Sequence, residues 1–246
     1  KKNSKLLRRL LMNFEELNSI EGLQFIPVNN KKIPTVKEWQ NTAKKHNLSS
    51  TSGVGLVCGH LSEGLEVIDI DLKYSLDASL FDNYKRLIHE IDKDLLAKLV
   101  VQKTRSGGYH LIYRCAKIEG NLKLANRPTT EDERRKTYDE TYKAELLKNP
   151  DDIKAKQIAQ KVSDNDKVRV LFETRGEGGY VMCFPSDGYE IVHGDFYGIN
   201  EITPDQRDIL HGIARQFNQV YDEVIVPRKN VIPKTKGLSP FDDYNQ

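Results

Sequence analysis

The chain has 246 residues and a mass of 28.2 kDa; 30% of the residues are charged, 38% are hydrophobic, and the formal net charge is +2. This balance is that of a globular protein and excludes a disordered chain, while so small a net charge means that a nucleic-acid partner requires a local basic patch. No apolar run approaches the roughly 20 residues that span a bilayer, and the basic N-terminal segment lacks the apolar stretch of a secretory signal. We therefore expect a cytoplasmic protein with no membrane partner.

The first part of the chain alternates between helix and strand patterns. Apolar residues at helical spacing predict an amphipathic helix over residues 4–17, and residues 23–39 follow as a short strand, an Asn-Asn turn and the start of a second helix. Two strands come next, GVGLVCG at 53–59 and EVIDIDL at 66–72, and helical spacing returns over 77–99.

The later part of the chain returns to strands after a change in composition. Residues 99–115 predict two strands around a Ser-Gly-Gly turn, and residues 168–186 predict two more around a Gly-Gly hairpin turn. Between them, residues from about 116 to 167 are dominated by charged and amide side chains with helical runs, which predicts a charged helical insertion. A closing helix begins at Thr203, which suits an N-cap, and Pro204 suits its first turn.

This order of elements predicts an α+β fold with a mixed or antiparallel central sheet. We expect one domain over residues 1–227. Residues 228–246 contain prolines and lysines and predict a linker towards a C-terminal region that is missing from this chain.

The three cysteines, Cys58, Cys115 and Cys183, are far apart and lie in apolar segments. An odd number of separated cysteines suits reduced core thiols better than a disulfide framework. Cys58 and His60 form a C-x-H fragment, but a tetrahedral site requires more ligands, so no zinc is expected.

Three predicted strands carry polar groups where burial in a sheet favours apolar side chains. Side chains alternate along a strand, so Asp69 and Asp71 share one face of EVIDIDL. His110 and Glu173 lie opposite apolar residues of their own strands, and the four side chains converge if these strands are neighbours. Three carboxylates around one point suit two Mg²⁺ or Mn²⁺ ions, and such a pair favours in-line displacement at phosphorus.

The glycine turn before His110 and the cations around it predict a phosphate site. Glycines permit the close approach and the positive φ angles of a backbone phosphate nest, and flanking cations can neutralise a triphosphate. The predicted nucleotide-binding residues are Lys103, Arg105, Ser106, Gly107, His110 and Arg175.

The ordered motifs of this chain resemble the bifunctional DNA primase/polymerase family, a branch of the archaeo-eukaryotic primase superfamily found in plasmid, phage and other mobile-element replication proteins. The resemblance spans roughly residues 23–217. Its motifs are K-x-P…W (Lys32, Pro34, Trp39), GVGLVCG, IDID, RSGGYH and ETRGEGGYVMCFPS.

The resemblance implies an archaeo-eukaryotic primase fold, with an N-terminal α/β lobe facing the template and a catalytic sheet akin to an RNA-recognition motif. It implies metal binding by Asp69, Asp71 and Glu173, where the family often has Asp at the last position. It also implies contact of His110 with the incoming nucleotide; Ser106 and His110 match the family's Ser-x-x-x-His motif. The implied function is that of a DNA primase, a DNA polymerase or both. The implied partners are a single-stranded DNA template, a primer strand and nucleoside triphosphates, with a helicase in the same parent chain.

Two other functions are compatible with parts of the pattern. A metal-dependent nuclease could use the same acids to position a water, although it has no use for a triphosphate-binding histidine and glycine turn. A non-catalytic single-stranded nucleic-acid-binding module could keep the sheet, although such modules expose aromatic residues where this chain has acids.

Overall fold

The structure, a computed structural model, describes residues 13–41, 43–49 and 51–220. In this part of the chain nine strands form two sheets, and the pairings between these strands are antiparallel. The strands are β1 (Phe25–Val28), β2 (Gly53–Val57), β3 (Leu65–Ile70), β4 (Val100–Lys103), β5 (Tyr109–Arg114), β6 (Lys123–Pro128), β7 (Val168–Arg175), β8 (Tyr180–Cys183) and β9 (Glu190–His193). A three-stranded sheet has the order β1-β2-β8, and a six-stranded sheet has the order β6-β7-β3-β5-β4-β9.

Six α-helices complete the described part of the chain, and three short 3-10 turns lie between elements. The helices are α1 (Phe14–Leu17), α2 (Leu80–Ile91), α3 (Leu95–Lys98), α4 (Glu131–Lys148), α5 (Asp152–Asn165) and α6 (Pro204–Gln216). The prediction of an α+β fold with an antiparallel sheet is confirmed.

Helix α2 covers one face of the six-stranded sheet because its apolar residues form a single stripe. Leu80, Tyr84 and Ile88 recur every four residues, and all three are buried. They pack with Ile70 and Phe172, which project from the same side of the sheet. Helix α2 therefore buries the part of this face around β3 and β7.

Helix α6 packs beside α2 and starts where the sequence predicts. Thr203 and Gln206 form a capping box, and Pro204 occupies the first turn, where a missing N–H costs nothing. Leu210 and Ile213 are buried against the same core.

The opposite face of the six-stranded sheet packs against the three-stranded sheet. Val67 of β3 and Ile112 of β5 are fully buried there with Leu56 of β2 and Val181 of β8. Side chains alternate along a strand, so Asp69, two residues after Val67, also points between the two sheets. The same holds for His110, two residues before Ile112.

The helix predicted to start near Trp39 is wrong. Residues 35–41 form bends and a turn, and Glu38 has a φ of 56°, which a right-handed helix does not permit. Trp39 instead packs edge-on against Tyr180, with ring centres 5.0 Å apart.

The helical segment predicted over residues 116–167 contains a strand. Leu124 and Ala125 of β6 are buried in the core, and β6 pairs with β7 along the edge of the six-stranded sheet. The two helices α4 and α5 follow between β6 and β7, so the helical part of the segment begins after Pro128. Short strands with charged neighbours give a weak periodic signal, which is why the strand was missed.

The predicted hairpin around Gly178 and Gly179 is also wrong, because β7 and β8 belong to different sheets. The chain leaves the six-stranded sheet at Gly176, where a Cβ would collide with the carbonyl oxygen of Glu119. It joins the other sheet where the carbonyl of Gly179 accepts a hydrogen bond from the N–H of Cys58, at 2.9 Å.

The structure also bears on the cysteines, on membrane-spanning helices and on the ends of the chain. The three cysteines are buried free thiols. No helix among the described residues is both long and apolar enough to cross a bilayer. Helix α1 is the described end of the helix predicted over residues 4–17, whereas residues 4–12 and the linker predicted over 228–246 lie outside the described ranges.

Candidate active site

Three polar side chains stand in one row across three adjacent strands. Asp69 of β3 is opposite Glu173 of β7 on one side and opposite His110 of β5 on the other. Opposed residues of antiparallel strands project to the same face. The row is therefore a consequence of strand register, which brings together residues that are far apart in the sequence.

Asp71 joins this row although it lies just beyond the end of β3. Its N–H donates to the carbonyl of Leu171 at 3.0 Å, so the chain is still attached to β7, and a 3-10 turn over Leu72–Tyr74 begins immediately afterwards. Asp71 lines the same cavity as Asp69. The prediction that the two aspartates share a face is confirmed.

The row opens into a cavity of about 300 Å³ between the two sheets. One wall carries the polar row, and the facing wall is formed by β8 and the segment after it. The lining residues are Lys32, Asp69, Asp71, Lys73, Thr104, Ser106, His110, Glu173, Arg175, Tyr180, Val181, Met182 and Tyr189.

The carboxyl groups in the cavity differ in how readily they ionise. Burial opposes ionisation of Asp69, but the neighbouring His110, followed by Arg175 and Lys73, outweighs it and lowers the pKa. Burial raises the pKa of Asp71, and the charge of Asp69 raises it further. Burial also raises the pKa of Glu173; Arg175 opposes this rise, and the two aspartates add to it. The charged form of Asp69 is therefore favoured in the site, whereas the charged forms of Asp71 and Glu173 are disfavoured.

Each carboxylate faces a basic side chain. An oxygen of Asp71 lies 3.3 Å from Nζ of Lys73, an oxygen of Asp69 lies 3.5 Å from Nε2 of His110, and Glu173 is paired with Arg175. These pairs offset part of the negative charge.

The donor set fits divalent cations in kind. Carboxylate oxygens are the ligands that Mg²⁺ and Mn²⁺ prefer, and a bound cation would favour the charged forms of Asp71 and Glu173, whose pKa values burial raises. Within the described ranges, however, no three His, Cys, Asp or Glu side chains are arranged so that they could hold a metal ion together. Metal binding therefore requires the carboxylates to turn from their present partners.

Three of the residues predicted to bind nucleotide line the cavity. They are Ser106, His110 and Arg175. The hydroxyl of Ser106 lies 3.2 Å from that of Thr104, which the sequence did not single out. The glycine turn packs closely against β3, because a Cβ on Gly108 would collide with the carbonyl oxygen of Ile70.

The other three predicted nucleotide contacts lie away from the cavity. Lys103 is exposed and follows Gln102, whose side chain is on the cavity side, so strand alternation directs Lys103 to the other face. Arg105 donates from Nε to the carbonyl of Asp187 at 2.9 Å. Gly107 has the predicted positive φ of 87°, but its N–H donates to the carbonyl of Thr104 within the turn, so it does not serve a phosphate nest.

Sequence reasoning missed much of the cavity wall. Lys73 follows Asp71 by two residues and could have been found from that spacing, and Lys32 belongs to the K-x-P motif without having been assigned a role. Tyr180, Met182 and Tyr189 are placed by contact between the sheets, for which the sequence carries no periodic signal. Nζ of Lys32 lies 5.9 Å from the centre of the Tyr189 ring, at the side of the cavity opposite the acids.

Comparison with known proteins identifies the family of this chain. Residues 16–206 match the family described as bifunctional DNA primase/polymerase, N-terminal, and this match includes every residue of the polar row. No curated protein matches the chain. The matched family implies nucleotidyl transfer by a DNA primase/polymerase, which binds DNA and nucleotides and is generally dependent on divalent metal. Because the match covers most of its length, the chain belongs to the bifunctional DNA primase/polymerase family.

Proposed function

We propose that this domain adds nucleotides to a growing strand on a single-stranded DNA template, and that the transfer takes place in the cavity between the two sheets. The observation that carries the proposal is the register row of Glu173, Asp69 and His110. In this row, acids that would bind metal lie directly beside a histidine that would bind phosphate. Asp71 and the basic side chains of the cavity complete the charge pattern.

Asp69, Asp71 and Glu173 are the residues that would hold the cations, for which we propose two Mg²⁺ or Mn²⁺ ions. Such ions, when bound, activate the attacking 3′-hydroxyl and stabilise the leaving oxygen at phosphorus. Arg175 and Lys73 now pair with Glu173 and Asp71. We expect both basic side chains to turn to the triphosphate, whose negative charge replaces that of the carboxylates.

The remaining polar groups would bind and orient the triphosphate. His110 presents Nε2 towards the cavity, next to Asp69, and the Ser106 hydroxyl lies on the same wall. Lys32 approaches from the opposite side. The rings of Tyr180 and Tyr189 offer apolar surface on that side for the sugar and base.

The two rival functions differ from this one in how they would use the cavity. A nuclease requires the acids. It does not require His110, Ser106 or the basic side chains that line the cavity. A binding module does not require the acids. A helicase in the parent chain stays a prediction from the family resemblance, and the linker over residues 228–246 stays a prediction from composition.

The proposal is tested by incorporation of labelled nucleoside triphosphates on single-stranded DNA, with and without a primer, in the presence of Mg²⁺ or Mn²⁺. We expect the wild-type domain to extend or start a strand and Asp71→Asn to reduce the rate by at least roughly a hundredfold, because a metal ligand contributes several kcal/mol to such a transition state. Asp139→Asn, on the exposed side of α4, is the matched control and should retain the rate.

The rivals give different products in the same assay. Shortened template strands without incorporation would indicate a nuclease. If the domain binds the template but neither incorporates nucleotides nor cleaves DNA with either metal, only the binding module remains.

A further inference from the structure

Gln102 is a fully buried glutamine on β4 that contacts the candidate active site from behind. Its register partner is His110, so the polar row of Glu173, Asp69 and His110 continues into it. Nε2 of Gln102 lies 2.8 Å from Nδ1 of His110. The side chain does not line the cavity, so it contacts the polar row through the histidine.

The orientation of the Gln102 amide is determined by two backbone groups of the segment that begins with β8. The N–H of Phe184 donates to Oε1 at 2.7 Å, and Nε2 donates to the carbonyl of Met182 at 3.0 Å. Exchanging the two ends of the amide would place donor against donor at Phe184 and acceptor against acceptor at Met182. Nε2 therefore faces His110 as a donor.

This arrangement determines which ring nitrogen of His110 carries the proton. A donor at Nδ1 requires an unprotonated nitrogen there, so the neutral ring carries its hydrogen on Nε2. Nε2 is the nitrogen beside Asp69 and the cavity. His110 is 4% exposed, so the buried Nδ1 edge depends on its protein neighbour.

We propose that Gln102 is a positioning residue that holds His110 as the Nε2–H tautomer, so that the ring donates a hydrogen bond to a phosphate oxygen of the incoming nucleotide. The inference rests on the proposed function, because it assigns the cavity to a nucleoside triphosphate. The opposite tautomer would present a lone pair to the phosphate and repel it. The same amide ties β4 to the β8 segment, so the position of one sheet against the other also determines the orientation of the ring.

The tautomer can be measured without nucleotide by ¹⁵N NMR of the labelled domain at alkaline pH, with His110→Asn used to assign the resonance. Nitrogen shifts and two-bond couplings distinguish protonated from unprotonated ring nitrogens. We expect the wild type to show an unprotonated Nδ1 and a protonated Nε2. A protonated Nδ1 in the wild type would overturn the proposal.

Gln102→Glu should reverse the tautomer of His110, because a carboxylate accepts a hydrogen bond but cannot donate one. We expect Nδ1 of His110 to become protonated in this variant. The matched control is Gln24→Met, since Gln24 is also a buried glutamine with its amide bonded to backbone groups, those of Lys44, but it lies outside the cavity wall. A folded Gln102→Glu protein with an unchanged His110 spectrum would contradict the proposal.

The consequence for nucleotide is measured by calorimetric titration of the domain with a nucleoside triphosphate and Mg²⁺. We expect Gln102→Met to weaken binding roughly tenfold, the effect of losing one hydrogen bond to a charged group, and Gln24→Met to leave it unchanged. Unchanged binding in Gln102→Met would overturn the positioning role. A wild type that shows the Nε2–H tautomer but binds no triphosphate would instead contradict the proposed function.

Discussion

Asp71 and Glu173 are carboxyl groups whose charged forms are unfavourable in the folded protein. Burial and the neighbouring acids raise the pKa of both groups. A raised pKa in the folded state means that stability is greatest while the group is protonated and decreases as the pH rises through the folded pKa. At neutral pH the charged forms of these two groups therefore destabilise the metal-free domain.

This cost predicts that removing one charge stabilises the metal-free protein. Asp71→Asn should raise the free energy of unfolding by roughly 0.5–1 kcal/mol in the presence of a chelator, as substitutions that relieve a functional site commonly do. Thermal unfolding measures the change. The difference from wild type should shrink as the pH falls towards the ordinary aspartate pKa of 3.8, where the wild-type group is protonated too.

The controls for this prediction separate the site from general effects of charge. Asp139→Asn on α4 should leave the melting temperature nearly unchanged. Added Mn²⁺ should stabilise the wild type more than Asp71→Asn, because a ligand stabilises the state that binds it. An Asp71→Asn protein that is less stable than wild type under chelation would mean that the pairing with Lys73 outweighs the repulsion from Asp69.

The residues of the register row could be predicted from the sequence, but the contacts that they make could not. Strand alternation and motif order were enough to predict Asp69, Asp71, His110 and Glu173 on one surface. Alternation also argues against Lys103, which is next to the inward-facing Gln102, but the prediction from charge alone ignored it. The Gln102 contacts depend on the packing of one sheet against the other, which no local pattern encodes.

At the scale of elements, helix α6 is attached to the six-stranded sheet by a buried ion pair. Arg207 donates two hydrogen bonds to Glu66 of β3, at 2.6 and 2.8 Å, and both side chains are almost fully buried. Tyr113 donates a third to the same carboxylate at 2.7 Å. Burial alone would raise the pKa of Glu66, but hydrogen bonds from His211, Arg207 and Tyr113 lower it to about 2.

Breaking this pair should be among the most destabilising single changes on α6. Arg207→Met leaves the carboxylate of Glu66 buried without its main partner, so we expect a loss of about 3–5 kcal/mol in the free energy of unfolding by denaturant. The double variant Glu66→Leu/Arg207→Met should recover most of this loss. Arg215→Met on the exposed side of α6 is the control and should cost under roughly 1 kcal/mol.

The same pair has a predictable pH dependence. The folded pKa of Glu66 is about 2, against an ordinary value of 4.5, so its stabilising effect is fully present above 4.5 and is lost as the pH falls towards 2. Arg207→Met should reduce this part of the acid sensitivity. An Arg207→Met protein as stable as wild type would show that the pair does not hold α6 in place.

Among the elements, long periodic segments were predicted well and short ones poorly. The closing helix and its cap were recognisable because capping residues and an apolar stripe coincide. Strand β6 was hidden because its buried residues, Leu124 and Ala125, stand among charged neighbours. The apparent hairpin between β7 and β8 failed for a different reason: the local turn is real, but the two strands find their partners in different sheets.

At the scale of the whole molecule, the function depends on how the two sheets meet. Apolar residues such as Val67 and Ile112 fill the space between the sheets at one end. At the other end, the acids and His110 line the cavity. The side chain of Ser186 accepts a hydrogen bond from the N–H of Val54 at 2.8 Å, which fixes the segment after β8 to β2. The cavity is therefore a property of the joined sheets, and neither sheet forms it alone.

The central claim is that the acids of this cavity hold divalent cations against the phosphates of a nucleotide. The most direct test is a crystal structure of the domain with Mn²⁺ and a non-hydrolysable nucleoside triphosphate, with the metal located by anomalous scattering. We predict anomalous peaks bonded to Asp69, Asp71 and Glu173, a phosphate oxygen beside Nε2 of His110, and Arg175 turned from Glu173 to the phosphates. Manganese bound elsewhere, with Glu173 still paired to Arg175 while the nucleotide is in place, would contradict the claim.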